Sequence, residues 1–142
     1  MNAFITNNGL RPGDVIIGPK SNFNIVQHYV VYLGVDEWGN DLYAENKIGH
    51  GVRIIYHKQF TAENPTCTRI QRFIGNDYQR NEAIQRALSL VGRSYDMTTF
   101  NCEHFANYVQ SHQVKSKQVD TGLALAGIAA LFLIVGAIAS SK

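Results

Sequence analysis

Two cysteines and five histidines are the side chains of this 142-residue sequence best suited to nucleophilic or metal chemistry. Cys102 falls at the expected start of a helix, where the backbone N–H groups and the helix dipole favour a thiolate. A thiol nucleophile also needs a base, usually an imidazole within hydrogen-bond reach. His104 is poorly placed for that. Two residues along a helix is a rotation of roughly 200°, so its ring faces away from Cys102 and reads as a packing or capping group. His28 is the better partner, standing at the first residue of an expected strand. Spacing alone leaves Cys102 open between a nucleophile and a small buried hydrophobe. Cys67, inside an alternating segment, reads as the hydrophobe. His28, His50, His57 and Cys102 show no ligand spacing, and neither a metal nor a cofactor is expected.

The elements that must position these groups read as strands followed by helices. Asp14–Ile17 and His28–Leu33 are short and rich in β-branched and aromatic residues. Asp36–Asp41 is a turn, Leu42–Glu45 the return strand of a hairpin, and Gly49–Gly51 a second turn before Val52–Tyr56. Cys67–Phe73 alternates with period two. No helix is expected among these strands, so the sheet should be antiparallel. The period then changes. Ile84, Ala87, Leu88 and Val91 form a helical stripe that Gly92 ends, and Phe105, Tyr108, Val109 and His112 repeat it on a helix from about Asn101 to His112.

The length allows one domain with one core. A net charge of +2, with Lys and Arg scattered and no basic run, gives no footprint for nucleic acid, and none is expected as a partner. The first residues have neither a basic start nor an apolar stretch of signal-peptide length. Two cysteines at this spacing suggest free thiols in a reducing compartment. From Thr121 to Ser141 no charge occurs, and the centre reads LALAGIAALFLIVGAIA. As a helix, Gly122 to Ala139 would reach roughly 27 Å, near the hydrocarbon thickness of a bilayer, and it lacks a polar stripe. The expected organisation is a catalytic domain over residues 1–112, a linker over 113–121 and a transmembrane anchor over 122–139. That places the catalytic domain in the cytoplasm.

The motif around the thiol, Asn101-Cys102-Glu103-His104-Phe105 followed by Ala106, resembles that around the nucleophile of the lecithin retinol acyltransferase family, which includes the H-Ras-like suppressor phospholipases and acyltransferases. Other landmarks follow in order. Arg11-Pro12-Gly13-Asp14-Val15-Ile16 resembles the family's opening strand, and His28-Tyr29-Val30-Val31-Tyr32-Leu33-Gly34 the strand bearing its histidine. Gly51-Val52-Arg53 and Leu90-Val91-Gly92-Arg93-Ser94-Tyr95-Asp96 resemble further core elements. The resemblance covers about residues 10 to 112.

It implies an α+β fold in which an antiparallel sheet packs against helices, as a circularly permuted papain-like thiol enzyme; the tail adds one C-terminal transmembrane helix. It also implies a reaction. Cys102 attacks a phospholipid or other acyl-lipid ester, with His28 as base, and water or an acceptor takes the acyl group from the resulting thioester. A membrane-anchored acyltransferase or phospholipase A is the expected function. The sequence departs from the better-known members where they carry a second histidine; alignment on the turn and on Gly51-Val52-Arg53 puts Glu45 there, with Asn46 beside it. A carboxylate can orient an imidazole and stabilise its charged form. Glu45 is therefore the expected third member, against an exposed strand carboxylate, with Asn46 the next choice. Two rivals stand beside this reading. One is a papain-like amidase or peptidase; the other is a non-catalytic membrane scaffold that binds lipid or a partner.

Overall fold

The computed structural model describes residues 2–20, 26–113, 115–124 and 126. Five strands form one antiparallel sheet in the order β4-β3-β2-β1-β5: β1 is Val15–Pro19, β2 Gln27–Val35, β3 Asp41–Lys47, β4 Gly51–Tyr56 and β5 Arg69–Gln71. The β2–β3 hairpin turns through Asp36, whose carboxylate accepts the N–H groups of Trp38 and Asn40. Among the described residues the sheet is accompanied by α1 (Ala3–Asn8), α2 (His57–Glu63), α3 (Asp77–Ser89) and α4 (Cys102–Ser111), and residues 117–124 are helical as well.

Both faces of the sheet are covered, which is why β2 is buried almost throughout rather than in alternation. On one face Val15, Ile17, Val31, Ala44 and Val52 pack against Ala83 and Ala87 of α3 and Phe105, Ala106 and Val109 of α4. On the other, Ile16, Val30, Tyr32, Tyr43 and Ile55 pack against Ile5 of α1 and Phe60 of α2. Tyr43 and Phe60 stack with ring centroids 4.2 Å apart. Asp14 ties β1 to α3. It is buried, and its carboxylate accepts from the Phe73 N–H and from the Arg72 and Arg80 guanidinium groups.

The sheet is antiparallel, as expected, but several other expectations change. The expected fold class carried a transmembrane helix; no helix among the described residues is long and apolar enough to cross a membrane, and what those residues form is an α+β fold. The anchor expected over 122–139 otherwise lies outside the described residues. A helix, α2, does interrupt the strands, yet the sheet stays antiparallel because α2 leads the chain from β4 towards β5 at the opposite edge. The stripe expected on α3 is rotated as well. Arg80, Ala83 and Ala87 are buried, whereas Leu88 is exposed and Ile84 only half-buried. The Arg80 guanidinium, which reaches Asp14 and the Pro12 carbonyl, decides which face turns inwards.

Candidate active site

α4 begins where Asn101 caps it. The Asn101 side chain accepts the N–H groups of Glu103 and His104, and His104 returns the bond by accepting the Asn101 N–H at Nδ1, 3.1 Å away. His104 is thus a capping residue, with burial lowering its pKa below the ordinary value. The cap leaves the Cys102 N–H, among the described residues, without an acceptor in the first turn. The Cys102 thiol is buried and, as a thiol, donates to the Gln27 carbonyl at 3.6 Å.

His28 follows Gln27 at the start of β2. Its Nε2 lies 2.6 Å from Glu45 Oε2 on β3, and both side chains are buried. The register explains the meeting. Glu45 pairs with Val30 across the β2–β3 ladder, so His28 is its diagonal neighbour on the same face, within reach of long side chains. Arg53, directly opposite Glu45 on β4, donates from Nε at 2.9 Å and from Nη2 at 2.5 Å to Glu45 Oε1. Each carboxylate oxygen of Glu45 therefore has its own cationic or polar partner. The imidazole stands at the end of the sheet, where it can meet a carboxylate from one layer and the α4 thiol from the other.

The electrostatics follow from these contacts. Burial alone would lower the His28 pKa, but the polar influence of the nearby Cys102 thiol, the hydrogen bond to Glu45 and the charges of both outweigh it, raising the ring from 6.5 to about 8. At neutral pH the ring is mostly protonated, the form that pairs with a thiolate. Burial would raise the Glu45 carboxyl, yet His28 and Arg53 hold it below the usual range. Nδ1, the ring nitrogen not taken by Glu45, has no conventional hydrogen bond among the described residues. The Cys102 thiol is the titratable neighbour besides Glu45 that acts on this ring.

Cys102 lines a cleft of about 560 Å³, a size ordinary for a small-molecule site. Val26, Ile48, Tyr95, Met97, Val119 and Leu123 give it mostly apolar walls, with Lys20, Gln27, Thr98, Asn101 and Gln118 as its polar members. No group of three or more potential metal-ligating side chains occurs among the described residues. Cys67 is a half-buried free thiol whose pKa burial raises, and it packs beside the core on the α1/α2 face.

Of the three residues singled out in the sequence, His28 and Glu45 are in direct contact, and Cys102 reaches the carbonyl of Gln27, the residue before His28. Asn46 does not join them; its side-chain amide donates to the Phe100 carbonyl at 2.6 Å. Sequence reasoning missed Arg53 as a partner of Glu45, although a hairpin register drawn through Gly49–Gly51 would have set the two opposite each other. It also missed Ser116 and Gln118, which pack near the site and which no local pattern marks. Comparison with protein-family models and with curated proteins gave no match.

Proposed function

We propose that this chain is a thiol-dependent acyl-transfer enzyme acting on lipid esters, with Cys102 as nucleophile, His28 as proton carrier and Glu45 as the group that orients the ring. The carrying observation is the 2.6 Å contact between His28 Nε2 and a fully buried Glu45, with the thiol of Cys102 beside the same ring at an apolar cleft. A buried carboxylate costs stability unless it is paired, and here its pairing serves the imidazole.

In the first step the Cys102 thiolate attacks the ester carbonyl carbon and an S–C bond forms. The unpartnered Cys102 N–H, at the positive end of α4, is placed to donate to the oxyanion. The tetrahedral adduct collapses, its C–O bond breaks, and His28 gives its proton to the leaving alkoxide. In the second step neutral His28 takes a proton from water or from an alcohol or amine acceptor, whose oxygen or nitrogen attacks the thioester. The C–S bond breaks, the acyl group leaves on the acceptor, and the thiolate–imidazolium pair returns. Glu45 takes no proton; it fixes the ring and stabilises its charged form. The walls of the cleft suit an acyl chain better than a charged peptide. The motif around Cys102 and the order of histidine strand before cysteine helix support the same reading.

The test is mass spectrometry of the intact chain after incubation with mixed phospholipids. An acyl adduct on Cys102, discharged by hydroxylamine, is the expected result. No adduct with lipid esters, alongside cleavage of peptide substrates, would replace this reading with an amidase.

A further inference from the structure

Glu103 is a buried carboxylate that the reaction above leaves without a role. It accepts from Tyr29 Oη at 3.2 Å, Ser116 Oγ at 2.6 Å, Gln118 N at 3.1 Å and Gln118 Nε2 at 3.4 Å. Gln118 continues the chain of bonds. Its Oε1 accepts the backbone N–H of Gln27 at 3.0 Å. One side-chain amide therefore touches the residue after the nucleophile and the residue before the base. Gln27 is held from two sides, since its carbonyl also receives the Cys102 thiol. Gln118 belongs to the helical residues 117–124, whose Val119, Gly122 and Leu123 line the cleft.

We propose that Gln118 is a positioning residue that sets the spacing between Cys102 and His28, by fastening the first residue of β2 to the first turn of α4. The proposal rests on the function above for what the pair does, not for how it is spaced. The Gln118 bond is a side-chain tie on the Gln27 N–H, added to the pairing of β2 with β1 and to the Cys102 contact at the Gln27 carbonyl. A displacement of about 1 Å at a reacting pair can cost as much as 10²-fold in rate. Glu103 serves as the anchor for Gln118. Burial would raise its pKa, but the hydrogen bonds from Ser116 and Gln118 hold it low, so it stays an acceptor at neutral pH.

Gln118→Met in the full chain keeps the side chain's length but removes both the acceptor and the donor. Ser116→Ala strips one donor from Glu103 and the acceptor of the Val119 N–H and of the Asn101 amide, but leaves the Gln118 side chain in place, so it controls for general loosening. Two readouts need no ester: the His28 titration midpoint by NMR, and the rate at which iodoacetamide alkylates Cys102 relative to Cys67. Gln118→Met is expected to shift the midpoint by about half a pH unit or more. It should also slow Cys102 alkylation roughly 10-fold with Cys67 unaltered. Ser116→Ala should match the wild type in both. Unchanged readouts in Gln118→Met, or equal changes in the two variants, would overturn the proposal. If Gln118→Met does not fold, Gln118→Asn, one methylene too short to reach Gln27, takes its place with the same expectations. A chain that shows the Gln118 effect but forms no acyl adduct would sink the enzyme reading and leave this one standing.

Discussion

Glu45 grips His28 diagonally across the β2–β3 ladder, because its direct partner in the register is Val30. The carboxylate thereby meets Nε2 and leaves the other ring nitrogen free for the thiol side. Glu45→Gln keeps the shape and removes the charge. The His28 midpoint, about 8 in the wild type, should fall, and acylation of Cys102 should slow by about 10²-fold or more by analogy with other triads. NMR titration of the imidazole and single-turnover kinetics check the two parts. An unmoved midpoint would show that Glu45 holds strand β4 through Arg53 and does nothing for the ring.

Arg53 supplies both donors to Glu45 Oε1. Arg53→Met removes them and leaves a fully buried carboxylate with His28 as its remaining cationic neighbour. Breaking a buried pair in this way costs about 3 kcal/mol or more, read as a lower urea midpoint. Restoration of stability by adding Glu45→Gln to Arg53→Met is the expected outcome of the double variant, since it removes the orphaned charge.

The His28 pKa is raised on folding, from 6.5 to about 8. A raised pKa means the folded chain holds this proton more tightly than the unfolded one. The stabilisation is therefore complete below pH 6.5 and lost as pH rises through about 8. It amounts to about 2 kcal/mol at most. Urea melts between pH 6 and pH 9 should show that loss, and His28→Gln should flatten it. A profile equally steep in the variant would assign the effect elsewhere.

The two thiols should separate cleanly. Cys102→Ser is expected to abolish the acyl adduct with the fold intact, because the swap changes little volume but replaces an ionisable thiol with a hydroxyl. Cys67→Ser should leave adduct formation and its rate unaltered. Circular dichroism of both variants checks folding, and equal loss of activity in two folded proteins would mean a different nucleophile.

Much of the site was legible because its parts are local. An Asn before Cys102 marks a helix start, and a β-branched run after His28 marks a strand. Glu45 was reached only through the family resemblance, by aligning the turn and Gly51-Val52-Arg53 on the position of a second histidine; the register shift near Tyr32 and Gly34, between the Asp36–Asp41 turn and Glu45, leaves no mark in the sequence. Arg53 looked like one more residue of an alternating strand, since an ion pair across a sheet leaves no mark in either strand alone. The short α2 was hidden too. It begins directly after β4 at Tyr56, with no side-chain cap to announce it. The stretch around Ser116 and Gln118 read as a polar linker because polarity reports solvent exposure only when no buried charge recruits it. Here Glu103 does so, and Ser116 is buried.

The strand order has a kinetic consequence. β2, β3 and β4 are joined by tight turns, so the meander that unites His28, Glu45 and Arg53 closes through contacts near in sequence. β5 must instead travel to the far edge and pair Gln71 with Val15, a closure that sets much of the chain's topological complexity. Helix α4, which carries Cys102, comes later still in the chain. During synthesis His28 and Glu45 can be brought together while Cys102 is not yet made. The core face that Phe105, Ala106 and Val109 of α4 cover is thus among the last parts of the described fold to close.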